Sequence, residues 1–235
     1  MLIIGHRGIS DEAPENTIDS LIAAYEAGVD MLEFDVRLTK DNIPVVIHDT
    51  TTARTHGTRI VIARVTLAEL RAAKLSPAIP TLEEVLDTFF GNILLNIELK
   101  SRGSGLAVIA LLKQHYITQN DDWRNVIVSS FKSRELIRAR HHSKRVPLAM
   151  LHGQNPFLFI AYERWLHFSA VGFHRHYINP LALQIAQRLH MFCYTYTVDR
   201  TTNISQFVHA DIDGVVTNKP RDIMTALSRR NEQST

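Results

Sequence analysis

The sequence contains one cysteine, Cys193, among 235 residues. A single thiol cannot close an internal bridge, so a disulfide scaffold is excluded and a reducing compartment is favoured. No apolar run approaches the ~20 residues that cross a bilayer. Neither charge is in surplus: 26 Lys and Arg face 24 Asp and Glu. That balance predicts no nucleic-acid or anionic-membrane partner. There are no repeats and no low-complexity tracts, and no Gly-x-x-x-x-Gly-Lys-Ser/Thr loop for cradling nucleotide phosphates. Met1 runs directly into Leu2-Ile3-Ile4-Gly5, without the basic start and cleavage site of a leader. The sequence therefore reads as cytoplasmic, with no stable membrane insertion. A hydrophobic content of 45% excludes disorder as the main state.

What is present is alternation. Short β-branched runs at 2–5, 31–38, 43–48, 93–100, 126–131, 147–151, 170–173, 191–198 and 214–217 are separated by amphipathic patterns at 17–27, 82–90, 106–115, 133–142, 156–165, 181–189 and 202–208. This order predicts an α/β fold with a parallel sheet. Thr81 with Glu84 reads as a capping box, and Pro180 as a helix start. Only four residues separate the runs 31–38 and 43–48, too few for a parallel crossover. They are expected to form a hairpin turning near Asp41-Asn42, with Asp35 opposite His48. The remaining eight runs suit a single-domain (β/α)₈ TIM barrel over 1–227, followed by a frayed tail at 228–235.

The chemistry is expected where polar residues interrupt apolar strands. Glu33 and Asp35 lie two apart, as do Glu98 and Lys100, with Asn96 in the same phase. Period two places each pair on one face and leaves Phe34 and Val36 on the other. Buried carboxylates need a counter-charge. One reading is ordinary ion pairs with Arg7, Arg37 or Lys100. The other is a divalent metal on the oxygens of Glu33, Asp35 and Glu98. His6 and His48 each follow an apolar run and converge on these carboxylates in the barrel map, as a general acid and base would. With Arg7 and Lys100 to neutralise phosphoryl oxygens, the set suits a phosphate ester.

In order along the chain, His6-Arg7-Gly8, Pro14-Glu15-Asn16-Thr17, Glu33-x-Asp35, Thr39-x-Asp41, His48-Asp49, Pro80-Thr81-Leu82-Glu83-Glu84, Glu98-x-Lys100, Ser129-Ser130-Phe131, Tyr196-Thr197-Val198 and Asp213-Gly214-Val215-Val216-Thr217-Asn218 resemble the glycerophosphodiester phosphodiesterase family. The likeness covers nearly the whole chain. It implies a TIM barrel that cleaves glycerophosphodiesters to sn-glycerol 3-phosphate and an alcohol. It further implies one Mg²⁺ or Ca²⁺ on Glu33, Asp35 and Glu98, His6 and His48 as the acid–base pair, and Arg7 and Lys100 on the phosphate. The glycerol 2-hydroxyl would attack phosphorus, and water would open the cyclic phosphate. The Pro-Glu-Asn-Thr segment reads as structural, with Asn16 and Thr17 capping a helix.

Two departures from the family pattern stand out. The insertion after the His-Asp motif is trimmed, and Tyr196-Thr197-Val198-Asp199 stands where Trp-Thr-Val-Asn is common. Tyr196 is still expected to line the substrate. Lysophospholipase D-type hydrolysis, a lyase that stops at the cyclic phosphate, and a non-catalytic phosphate-binding module remain open. Four further features are read as ordinary structure. His174 and His176 are a rim pair without metal. The basic run from Arg138 to Arg145 is a solvated helix end. The apolar stretch 157–160 with Trp165 is core or a homodimer face. Gly103 and Gly105 are loop punctuation.

Overall fold

Each apolar run of the sequence forms a strand, and each strand is followed by chain that covers it. The computed structural model describes residues 1–233. In chain order the elements are β1 (Leu2–His6), α1 (Ile18–Glu26), β2 (Met31–Leu38), β3 (Pro44–Val46), α2 (Ala53–His56), α3 (Leu67–Ala72), α4 (Leu82–Phe89), β4 (Leu94–Leu99), α5 (Ser104–His115), β5 (Val126–Ser130), α6 (Ser133–His142), β6 (Leu148–His152), α7 (Leu158–Leu166), β7 (Ala170–His174), α8 (Pro180–Arg188), β8 (Phe192–Tyr196), α9 (Ile204–His209), β9 (Gly214–Thr217) and α10 (Pro220–Gln233). Parallel pairing runs β1-β9-β8-β7-β6-β5-β4-β2, and a β1–β2 pairing closes the ring. This is the expected eight-stranded barrel. Among the described residues no helix is long and apolar enough to cross a membrane.

β3 is the ninth strand and pairs antiparallel with β2. The hairpin forms, but its register differs by one residue from the expected one: Val36 pairs with Val46. The cause is the turn. The Thr39 amide donates to the Ile43 carbonyl at 3.1 Å, so the loop has three residues, with Asn42 at φ +62°. An αL residue in that place is the usual way a three-residue hairpin closes. Asp35 therefore faces Ile47 across the ladder, and the Ile47 amide donates to its carbonyl at 2.9 Å. His48 lies one step beyond. α10 carries no expected counterpart in the sequence patterns above. Residues 228–233, expected as a tail, continue it, because nothing in their polar, proline-free composition stops a helix. Residues 234–235 of that expected tail lie outside the described residues.

Two apolar clusters sit on either side of the strands. Ile4, Met31, Ala149, Leu151, Tyr194 and Val216 fill the barrel. Phe34, Val36, Ile97, Val128, Phe159, Phe173 and their neighbours pack between strands and helices. The apolar stretch 157–160 divides accordingly: Phe159 is fully buried, whereas Ile160 and Trp165 are exposed. Gly105 is more than loop punctuation, since it lies in α5 and a Cβ there would come 2.2 Å from the Glu135 carbonyl oxygen. Only glycine lets α5 and α6 approach this closely.

His152 packs into the outer layer, its ring 4.8 Å from that of Phe173, and neither ring nitrogen has a hydrogen bond. Burial pushes its pKa down to about 4. The unfolded chain takes up a proton here below about 6.5, the native chain only below about 4. Stability is therefore lost as pH falls through that window, by at most about 3.5 kcal/mol at ~1.4 kcal/mol per pH unit. Urea unfolding at pH 7 and pH 4.5 is expected to show a markedly smaller acid loss in His152→Leu than in the parent. An unchanged loss would place the acid sensitivity elsewhere.

Candidate active site

Side chains that point into the barrel at the C-terminal ends of its strands form one polar layer. Strand pairing sets their level: His6 aligns with Glu33, Glu33 with Asn96, Asp35 with Glu98, and Glu98 with Ser129. The period-two reading thus brings Glu33, Asp35 and Glu98 onto one inward face. All three are buried. One carboxylate oxygen from each lies within 4.8 Å of the others.

Their counter-charges are Arg7 and Lys100. Arg7 Nε lies 2.9 Å from Asp35 Oδ2. Lys100 Nζ lies 3.1 Å from Asp35 Oδ1 and 2.5 Å from Glu98 Oε1. The ion-pair reading of the sequence therefore holds for Asp35 and Glu98. Arg37 does not take part; its Nε donates to the His48 carbonyl at 2.6 Å. Glu33 has the weakest cover, with His6 Nε2 3.9 Å away and the Arg7 amide 3.2 Å from Oε2. Burial raises Glu33 well above the usual carboxylate range, and Asp35 and Glu98 add to the shift. Burial, with repulsion from Asp35, raises Glu98 to about 7. Burial also acts on Asp35, but Lys100, Arg7 and His48 outweigh it and hold the carboxyl low.

Three buried carboxyl groups against two cations leave one of them, Glu33, without a direct cationic partner. Glu33 Oε1 has no hydrogen-bond partner, and Asp35 Oδ1 and Glu98 Oε1 are met only by the Lys100 ammonium. Three converging hard oxygen donors that share one lysine between them fit a hard divalent cation. Among the described residues no other group of three His, Cys, Asp or Glu converges in this way. His174 and His176 remain a pair at the rim, rings 5.5 Å apart.

His6 faces Glu33, His48 lies near enough to Asp35 to help lower its pKa, and each ring is held through Nδ1. His6 Nδ1 lies 2.7 Å from Asn218 Oδ1. Since that oxygen can only accept, Nδ1 carries the proton and Nε2 faces Glu33 without one. Burial and the neighbouring Arg7 push the His6 pKa down, which keeps the ring neutral near pH 7. Asn218 is fixed in turn by Asp199, through its amide at 2.8 Å and its Nδ2 at 3.0 Å. His48 Nδ1 lies 2.7 Å from Asp49 Oδ1. Arg54 Nε lies 2.6 Å from Asp49 Oδ2, and the same guanidinium donates twice to Glu15 at 2.9 and 2.6 Å. Glu15 also accepts from Arg7 at 3.0 Å. Hydrogen bonding to Arg54 helps hold Asp49 at about 2, so it stays ionised beside the imidazole.

The sequence model of the Glycerophosphoryl diester phosphodiesterase family matches residues 6–222. The chain belongs to that family. It is thus a phosphoric diester hydrolase. A glycerophosphodiester phosphodiesterase from Caldanaerobacter subterraneus is 29% identical over 97% of this chain and 98% of its own. A phosphodiesterase from Oleispira antarctica, solved with the product sn-glycerol-3-phosphate, is 25% identical with a TM-score of 0.85, over 97% of both chains. The glycerophosphodiester phosphodiesterase structure from Thermotoga maritima is 25% identical with a TM-score of 0.82, over 96% of this chain and 97% of that one.

In this family member several site residues are not evident from the sequence pattern. Asn16 is not only a helix-end residue. Thr17 is the N-cap of α1, accepting from the Ser20 amide. Asn16 itself sits at φ +59°, donates from Nδ2 to Asp35 Oδ2 at 2.9 Å and accepts from the Asp35 amide at 3.1 Å. Arg7 also has a positive φ, +57°, a conformation costing roughly 1–2 kcal/mol for an L-residue. It is held by its amide donating to the Glu33 carbonyl at 2.8 Å and its carbonyl accepting from the Asn16 amide at 3.0 Å. Gly8 follows because a Cβ there would fall 2.3 Å from the Ser20 backbone. Asp199, which the sequence marks only as part of a departure at the rim, anchors Asn218. Tyr196 stands at the mouth, its ring edge-on to Phe131 at 5.8 Å. Its hydroxyl is committed to the His152 carbonyl at 2.5 Å, which leaves the ring face rather than the phenol to line the opening.

Proposed function

We propose that this chain hydrolyses glycerophosphodiesters to sn-glycerol 3-phosphate and an alcohol. The observation that carries the reading is a buried, converging carboxylate trio with Arg7 and Lys100 on it and two imidazoles nearby, each tethered through Nδ1. Glu33, Asp35 and Glu98 would hold one divalent cation, Mg²⁺ or Ca²⁺; when bound it supplies Lewis-acid polarisation of oxygen at the reacting centre. Arg7 and Lys100 orient the phosphodiester and neutralise its non-bridging oxygens. One imidazole takes the proton of the glycerol 2-hydroxyl at Nε2 as that oxygen bonds to phosphorus. The other donates its Nε2 proton to the departing alkoxide. The roles then reverse as water opens the cyclic phosphate. The product bound by the Oleispira antarctica enzyme and the intact set of side chains here support this reading over a binding module.

The direct test follows sn-glycerol 3-phosphate release from glycerophosphocholine by metal-stripped protein, with Mg²⁺ or Ca²⁺ added back, beside Glu98→Ala. Metal-restored turnover that the variant lacks is the expected outcome. No release with either ion would sink the reading for this substrate, and lysophosphatidylcholine would be the next one tried.

The tether on His48 gives a second test. Arg54→Ala removes the link between Asp49 and Glu15 without touching substrate. Since catalysis depends steeply on how the proton-transfer group is aimed, kcat is expected to fall about tenfold while KM stays within twofold. Unchanged kcat would show that Asp49 alone suffices to orient the ring.

A further inference from the structure

We infer that the mouth carries a second anion-binding subsite, suited to substrates whose alcohol half itself bears a phosphate. The inference rests on the hydrolytic reading above and extends it to substrate class. A cavity of about 470 Å³ opens beside the active site, lined by Arg102, Lys132, Arg134 and Arg138, with Glu135 and Phe131. Phe131 also lines the active-site pocket, so the two spaces share a wall. Arg102 follows β4 and Arg134 lies in the first turn of α6, after β5. Both therefore stand on the face of the barrel that holds the carboxylates.

Four cations here meet one carboxylate, in a chain whose overall balance is only +2. That carboxylate is already engaged. Glu135 Oε2 accepts from the Gly103 and Gly105 amides, both at 3.0 Å, and Oε1 pairs with Arg138. Glu135 is buried, and these bonds fix the Arg102 loop against α6. Lys132 donates to the Lys100 carbonyl. Among the described residues neither the Arg102 nor the Arg134 side chain has a hydrogen-bond or ion-pair partner. Two exposed arginines that line one cavity, with no partner of their own, offer bidentate donors of the geometry that phosphate accepts.

The position relative to the reacting phosphate sets which half of the substrate is read. Lys100 Nζ lies 5.5 Å from the centre of the Phe131 ring, so the cationic cavity begins one aromatic ring beyond Lys100. The pocket lined by Glu33, Asn96, Ser129 and Tyr194 is small. A bulkier alcohol must extend to the open mouth, where Phe131 and then the arginines meet it.

Glycerophosphoinositol and glycerophosphoinositol 4-phosphate differ by that one group and form the test pair. The parent is expected to favour the phosphorylated diester at least about tenfold in kcat/KM, the scale of a charge-assisted hydrogen bond of about 1.5 kcal/mol or more. The preference should shrink at high salt. It should disappear in Arg102→Gln/Arg134→Gln, with glycerophosphocholine turnover unchanged. Calorimetry of both diesters on metal-free protein reads binding without turnover. If neither diester is cleaved but the phosphorylated one still binds at least about tenfold tighter in an arginine-dependent way, the subsite stands and the hydrolytic reading falls. Equal kcat/KM and equal binding for the pair in the parent, or a preference that survives the double variant, overturns the subsite. So does a parallel loss of glycerophosphocholine turnover.

Discussion

Glu33→Gln is expected to lower kcat/KM on glycerophosphocholine by about 10³-fold or more, while making the metal-free protein more stable. The first effect follows if Glu33 is one of three ligands to a divalent cation, whose share of transition-state stabilisation is several kcal/mol. The second follows from the environment of Glu33 alone. Its carboxyl is buried, repelled by Asp35 and Glu98, and held well above the usual range. The unfolded chain gives up this proton near the ordinary value and the native chain resists doing so. The native state thus binds more protons, and its stability falls as pH rises through that window. Replacing the carboxyl with an amide removes this cost, so the metal-free melting temperature should rise by a few degrees above pH 6. Added Mg²⁺ or Ca²⁺ should then raise it further in the parent and leave it unmoved in the variant. Scanning calorimetry with and without metal reads both. A variant that melts lower than the parent without metal would show that Glu33 is a structural anchor instead.

Removing either imidazole should cost about 10²–10⁴-fold in kcat, and the leaving group should reveal which is the acid. An alcohol such as choline needs a proton as it departs; p-nitrophenolate does not. The acid variant, His6→Ala or His48→Ala, should therefore retain far more activity on a p-nitrophenyl glycerophosphodiester than on glycerophosphocholine. The base variant should lose both alike. The lowered pKa of His6 leaves it unprotonated near neutrality and fits the base of the first step; under the proposed mechanism His48 is then the expected acid. Equal losses on both substrates for both variants would deny that either ring protonates the leaving group.

Much of this site is legible in the order of the amino acids. Glu33 and Asp35, or Glu98 and Lys100, betray themselves because a charged pair at period two interrupts an otherwise buried strand. Strand order then brings those strands side by side. The barrel follows from the same alternation. The hairpin is legible in its existence but not in its register, because a single αL residue, Asn42, adds one position to the loop and no periodicity reports it.

The partners of the predicted residues are not legible in the same way. Asn218 meets His6 across 212 positions, Arg54 meets Glu15 across 39, and Asn16 meets Asp35 across 19. Each is a polar side chain on a loop or at an element's end, where backbone dihedrals follow no repeating pattern and a side chain's direction depends on how the chain closes. The cations around Phe131 belong to the same class: Arg102 and Arg134 sit in segments that read as ordinary polar chain. By itself the sequence determined the fold class and the inward carboxylates, since burial and strand period constrain those positions locally. Only the tertiary structure decided how each imidazole is aimed, which carboxylate stays uncovered and where free positive charge gathers at the mouth. Those depend on distances between segments far apart in the chain, which barrel closure sets and local pattern does not.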